Sequence, residues 1–192
     1  MGRVLLGGLL GGIVMFGWGF LSHYVLQLTE KKMFRIPNEA QFMDVVKGSA
    51  KEPGIYRFPY PDPSVMKDTA AKEAFFDKYK AGPNGILVRG PEGDAVSDVR
   101  FMVMEFGSNV LAALIASIVL AALGARVAFP NKIMIVALMG AFAWLSQDAS
   151  YMIWFGFPQA YSLSALVDAV AGWFIAGIAI AMVVKPSVPT KA

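Results

Sequence analysis

The chain has no cysteine and a single histidine among its 192 residues. The first absence excludes a disulfide framework, thiolate metal sites and thiol redox chemistry. The second confines imidazole chemistry to His23, and neither HxxxH nor ExxH occurs. The short helical spacings that seat zinc or paired iron are therefore missing. A Ser-His-Asp set would have to be assembled around His23 inside an apolar segment. P-loops, GxGxxG turns and GxSxG elbows are also absent, so no phosphate cradle or nucleophile elbow is legible. No cofactor is expected.

Acidic residues are scarce outside one long loop. Beyond residues 29–98 the only ones are Glu105, Asp148 and Asp168. All three fall in stretches apolar enough to cross a membrane. A carboxylate in hydrocarbon is costly, so each must face protein or water and find a partner.

Apolar residues dominate the remainder. The chain is 56% hydrophobic and 16% charged, against about 45–50% and about 25% for a soluble domain. The excess is gathered in blocks, the pattern of an integral membrane protein. The net charge of +3 does not point to nucleic acid. Arg3, Arg126, Lys132, Lys185 and Lys191 flank the apolar blocks on one side, and such residues collect on cytoplasmic flanks. Both termini are therefore expected inside the cell, with the long loop outside, in the periplasm of a diderm bacterium.

Four spans are readable. The first covers residues 1–28, with its apolar core from Val4 to Leu28. That core is longer than a signal peptide's, and no small-x-small cleavage site precedes Glu30, so it is expected to be a retained signal anchor. The others are expected at 99–123, 133–153 and 162–184, with Ser97 or Asp98 capping the second. Pro130 is expected to break the short link before the third. Trp154 to Tyr161 form an uncharged aromatic link suited to the headgroup boundary. Lys185-Pro186 closes the last span, and residues 185–192 form a cytoplasmic tail.

Residues 29–98 carry nearly balanced charge, as a solvated domain requires. Asn38 can cap a helix through Lys47, stopped by Gly48, and Ser64 can cap another through Ala81. Gly54–Phe58 and Gly85–Arg89 alternate like short strands, the second followed by a turn at Pro91–Asp94. The fold class expected is thus a four-helix transmembrane bundle with a small α+β extracytoplasmic cap. A cap of this size is marginal alone, so it should lean on the membrane helices or on a partner.

Helical spacing places small residues in stripes, which let membrane helices approach closely. Gly8 and Gly12 share a face with His23, and Gly172 and Ala176 share one with Asp168. Glu105 continues the stripe of Asn109, Ala112 and Ala116, and Asp148 that of Trp144, Ala141 and Ala137. His23, Glu105, Asn109, Gln147, Asp148 and Asp168 are therefore expected to turn inward as one polar layer in the outer leaflet. The plain reading is a hydrogen-bonded structural cluster. The sharper readings are a proton or solute path, or an oxygen-rich metal site of His23, Glu105, Asp148 and Asp168. Trp18, Tyr24, Trp154, Phe155, Phe157 and Tyr161 are candidates for a partner or lipid interface.

The run Gly54-Ile55-Tyr56-Arg57-Phe58-Pro59, with Trp154-Phe155-Gly156-Phe157-Pro158 and Tyr161, resembles a group of uncharacterised small bacterial inner-membrane proteins. The resemblance implies four spans and a large first outer loop, and implies no activity. The layout is also similar to that of claudins in topology, without their paired loop cysteines. The function expected is that of a non-catalytic accessory or interaction subunit. Besides the lipid bilayer, its partner would be another membrane protein, a second copy of the chain or a lipid-like ligand. The alternative is a small transporter or membrane enzyme that uses the His/carboxylate layer.

Overall fold

The computed structural model describes residues 1–93, 99–124 and 127–184. The expected cap at Ser97 or Asp98, the end of the turn at Asp94, Arg126, and the Lys185-Pro186 stop with Lys191 lie outside the described residues. The chain is mostly helical and divides into two compact units.

The first unit holds the long apolar helices: α1 (Gly2–Phe20), α4 (Val99–Leu123), α5 (Phe129–Ser146) and α7 (Gln159–Val183). The segments Gly2–Leu26, Val99–Leu123, Phe129–Phe155 and Gln159–Val183 are each long and apolar enough to span a membrane. This is a multi-pass membrane protein. Its surface agrees with that medium: Leu5 and Ile13 on α1, Leu111 and Ile115 on α4, Leu138 and Phe142 on α5, and Val167 and Phe174 on α7 are all exposed. In lipid such side chains need no burial, and helix association rests on close packing and hydrogen bonds.

Small residues supply that packing. α1 lies against α4 and α7, and α7 lies against α5. Gly7, Gly8, Gly11 and Gly12 are all buried. A Cβ placed on Gly8 would meet the Leu114 backbone at 3.0 Å, and one on Gly11 would meet Ile180 at 2.7 Å. Ala113, Ala116 and Leu120 of α4 join Ile133 and Val136 of α5 and Ile180, Ala181 and Val184 of α7 in one buried cluster. Gly177 and the fully buried Ala176 keep α7 close to its neighbours. Ser117, also fully buried, satisfies its hydroxyl on the Ala113 carbonyl at 2.8 Å.

Several boundaries differ from expectation. The first α-helix after the first span runs through Gly48 to Ser49 instead of stopping at Lys47, without a side-chain cap bond from Asn38. Pro130 starts α5 instead of breaking the chain, because a first-turn proline gives up only an N–H that has no helical partner. Lys132 consequently belongs to the helix and is buried, and its Nζ donates to the Val184 carbonyl at the end of α7, 3.0 Å away. A cation there meets the negative end of the helix dipole. The third span is interrupted at Gln147, after which α6 (Asp148–Phe155) continues it. The aromatic link is therefore shorter than expected: Trp154 and Phe155 end α6, and Tyr161 lies in the first turn of α7.

The second unit comprises residues 34–95 and 153–157. It contains α2 (Glu39–Ser49), β1 (Gly54–Phe58), α3 (Thr69–Ala81) and β2 (Gly85–Arg89). The strands pair antiparallel, Gly54 opposite Arg89 and Phe58 opposite Gly85. Asp68, not Ser64, caps α3, accepting from the Ala71 N–H at 2.7 Å. Ser64 is held elsewhere, its N–H and hydroxyl both donating to Asp62 Oδ1. Neither helix has a buried residue, and the cross-strand pair Ile55 and Val88 is exposed.

Candidate functional site

Past Phe20 the first span widens into a π-helical turn, Leu21–Leu26, a local form frequent at functional sites. Ser22 is fully buried within it and donates to the Gly19 carbonyl. Gln27 then adopts the left-handed conformation (φ 53°), and the Leu28 N–H donates back to the Ser22 carbonyl at 3.1 Å. This reversal ends the helix in the manner of a glycine C-cap, although a glutamine occupies the position.

The reversal returns Glu30 to His23. Imidazole Nδ1 lies 2.6 Å from Glu30 Oε1, and the buried Thr29 hydroxyl donates to the same oxygen at 3.1 Å. The other ring nitrogen, Nε2, lies 3.8 Å from Asp168 Oδ2. Asp168 in turn accepts from Trp18: the indole N–H reaches Oδ1 at 2.7 Å and the Asp168 carbonyl at 3.2 Å. Gly172 makes room for this contact, since a Cβ there would sit 2.6 Å from the Trp18 ring. The result is a chain Glu30–His23–Asp168–Trp18 that ties the end of the first span to α7.

Glu30 and His23 also line a groove of about 1150 Å³ between the first span and α4. Phe16, Phe20 and Tyr24 form one wall, and Phe101, Met102 and Met104 the other. Glu105, Ser108 and Asn109 add polar groups from α4, where Asn109 donates to Glu105 Oε1 at 3.2 Å. One oxygen of Glu30, Oε2, is buried with no hydrogen-bond partner.

The six polar residues expected as one layer are thus divided. His23 meets Asp168, and Glu105 meets Asn109 across the groove from His23. Gln147 donates to the Tyr151 hydroxyl at 2.8 Å, and Asp148 occupies the first turn of α6. Helix-face arithmetic fails here because the π-turn shifts the phase of the first span and Gln147 resets that of the third. The metal set His23, Glu105, Asp148 and Asp168 does not assemble; among the described residues no three His, Asp or Glu side chains converge on an ion-sized site.

The aromatic candidates also separate. Trp18 is a hydrogen-bond donor inside the helix packing. Tyr24 is exposed and stacks on Phe20 with centroids 5.2 Å apart. Trp154 is exposed, and Phe155 lies under the Arg57 guanidinium. Phe157 and Tyr161 are half-buried. Glu30 and Thr29 went unrecognised in the sequence as site residues, because they follow the apolar block and only the Gln27 reversal returns them to it.

The hook at residues 21–32 has a definite pH sign. Partial desolvation pushes the Glu30 carboxyl up, but hydrogen bonds from its own backbone N–H, His23 and Thr29 together hold it below the ordinary 4.5. A depressed carboxylate stabilises the fold above its unfolded value and loses that contribution as pH falls through the folded value. Acidification below 4.5 is therefore expected to lower the protection of the Leu28 amide relative to its intrinsic exchange rate, and Glu30→Gln to remove the acid-dependent step.

No family model, curated protein or solved structure matches this chain.

Proposed function

We propose that this multi-pass protein is non-catalytic and holds a lipid-like ligand in the groove between its first span and α4. The carrying observation is the groove itself. Its walls are aromatic and methionine side chains, joined by His23, Gln27, Glu30, Glu105, Ser108 and Asn109, a mixture suited to a molecule with an apolar body and a polar end. Methionine suits such a wall because its flexible thioether adapts to irregular partners. In this reading the Glu30–His23–Asp168–Trp18 chain is a latch that fixes one wall. The protein lies in a bacterial inner membrane with both termini cytoplasmic and residues 34–93 on the outer side. No cofactor takes part.

The buried inner cluster favours this reading over a transporter or membrane enzyme. Ala113, Ala116, Leu120, Val136 and Ile180 are at most 1% exposed, so close-packed apolar side chains fill the interior between these helices.

A second reading, an accessory subunit bound to another membrane protein, draws on the second unit. Ile55 and Val88 stand opposite each other on the sheet and are 74% and 66% exposed, and Phe34 is 90% exposed. Apolar pairs on a two-stranded sheet are unusual without a cover.

The groove reading is tested by attaching a bimane fluorophore to Ser108→Cys and, separately, to Phe142→Cys on the lipid-facing side of α5. The cysteine-free chain makes each label unique. In nanodiscs a brominated uncharged single-chain amphiphile should quench the groove label several-fold more than the α5 label. Equal quenching would remove the groove as a binding site.

A further inference from the structure

The groove lining carries two carboxylates, and its one basic side chain is His23. Among its lining residues are Glu30 and Glu105, and no lysine or arginine. Asp168 stands behind His23, so even a protonated imidazole leaves negative charge in excess. Of the two carboxylates, Glu30 has its Oε2 buried and unpaired, while Glu105 is exposed along the opposite wall with a single amide donor from Asn109. A carboxylate oxygen without a donor is unfavourable, and a cation near the group offsets its charge. The neighbouring surfaces are also those that attract cations. Phe16 and Phe106 meet edge to face, Phe20 stacks on Tyr24, and Phe101 already lies under the Arg100 guanidinium at 4.8 Å. Aromatic faces hold ammonium groups through their quadrupole, more strongly where water is excluded.

We propose that the occupant of this groove is a cationic amphiphile: an ammonium headgroup between Glu30 and Glu105, with its alkyl chain along Phe16, Phe20, Phe101 and Met104. This rests on the groove reading above and adds the sign of the headgroup to it. An anionic headgroup would meet two like charges, and an uncharged one would leave both carboxylates without a counter-charge.

The Ser108→Cys bimane protein in nanodiscs made of phosphatidylcholine is titrated with three brominated probes of equal chain length: an alkyltrimethylammonium, an alkyl sulfate and an alkyl maltoside. Phe142→Cys bimane reports simple partitioning and is subtracted. The ammonium probe should quench the groove label at a concentration roughly tenfold lower than the maltoside, and the sulfate should not saturate. Glu105→Gln, on a residue whose side chain is exposed, should abolish most of that preference while leaving maltoside quenching in place. If ammonium and maltoside probes quench equally, the headgroup assignment is wrong and the groove reading survives. If no probe quenches Ser108→Cys beyond Phe142→Cys, both fall. Preference for the sulfate would overturn the assignment outright.

Discussion

Gly12→Ala is expected to destabilise the folded protein by about 1–3 kcal/mol, although it adds a single methyl group to a helix that intrinsically favours alanine. The reason is where that methyl would go. It would lie 2.6 Å from Val110 Cα and 2.5 Å from Val110 Cγ2. Part of the obstruction is backbone, so no rotamer change clears it, and α1 must move away from α4. Movement at that point also disturbs Gly8, which has the Leu114 backbone at 3.0 Å. Gly17→Ala is the internal control. It lies on the same helix with nothing within 4 Å of its added Cβ, so it should be neutral or up to about 1 kcal/mol stabilising. Unfolding in mixed micelles of sodium dodecyl sulfate and dodecyl maltoside, followed by circular dichroism, measures both. Indistinguishable midpoints for the two variants would mean that α1 and α4 are not seated as described.

Asp168→Ala is expected to cost a further-reaching contact, about 1–3 kcal/mol by the same assay. It leaves the Trp18 indole N–H without its 2.7 Å acceptor and removes the carboxylate facing His23 Nε2. Asp168→Asn should retain much of the stability, because its amide oxygen can still accept from Trp18. Trp18→Phe should cost about as much as Asp168→Ala, and the double variant should cost less than the sum, since both break one bond. The alanine–asparagine contrast separates a latch from a proton carrier. A latch tolerates an isosteric acceptor, whereas a group that must bind and release a proton does not. If Asp168→Asn were as damaging as Asp168→Ala, the latch interpretation would be untenable.

Much of the helical layout was legible because it depends on local rules. The second span begins and ends at the expected residues, Val99 and Leu123, and both strands fall on the residues whose alternation announced them. The errors arose where one residue had two possible roles. Pro130 reads equally as a breaker or as a first-turn residue, and only the position of Lys132 against α7 decides between them. Ser64 is a good helix cap on composition, but Asp62 claims its hydroxyl and leaves the task to Asp68. The site was half legible. Helical spacing singled out His23 and Asp168, which lie within the spans, but not which polar residues would meet. It did not find Glu30, whose placement depends on a left-handed glutamine that no composition rule announces. Trp18 was visible as an aromatic near a membrane boundary, yet its role comes from the space left by Gly172 on another helix.

The seam between α1 and α4 has a thermodynamic character of its own. Glycine has no rotamers to surrender when two surfaces meet, whereas a leucine loses about 0.5–1 kcal/mol of side-chain freedom on ordering. Where Gly8 and Gly12 provide one face of the contact, assembly immobilises only the partner's side chains. Warming should therefore penalise this junction less than a leucine zipper of equal length, making it one of the last parts of the molecule to come apart.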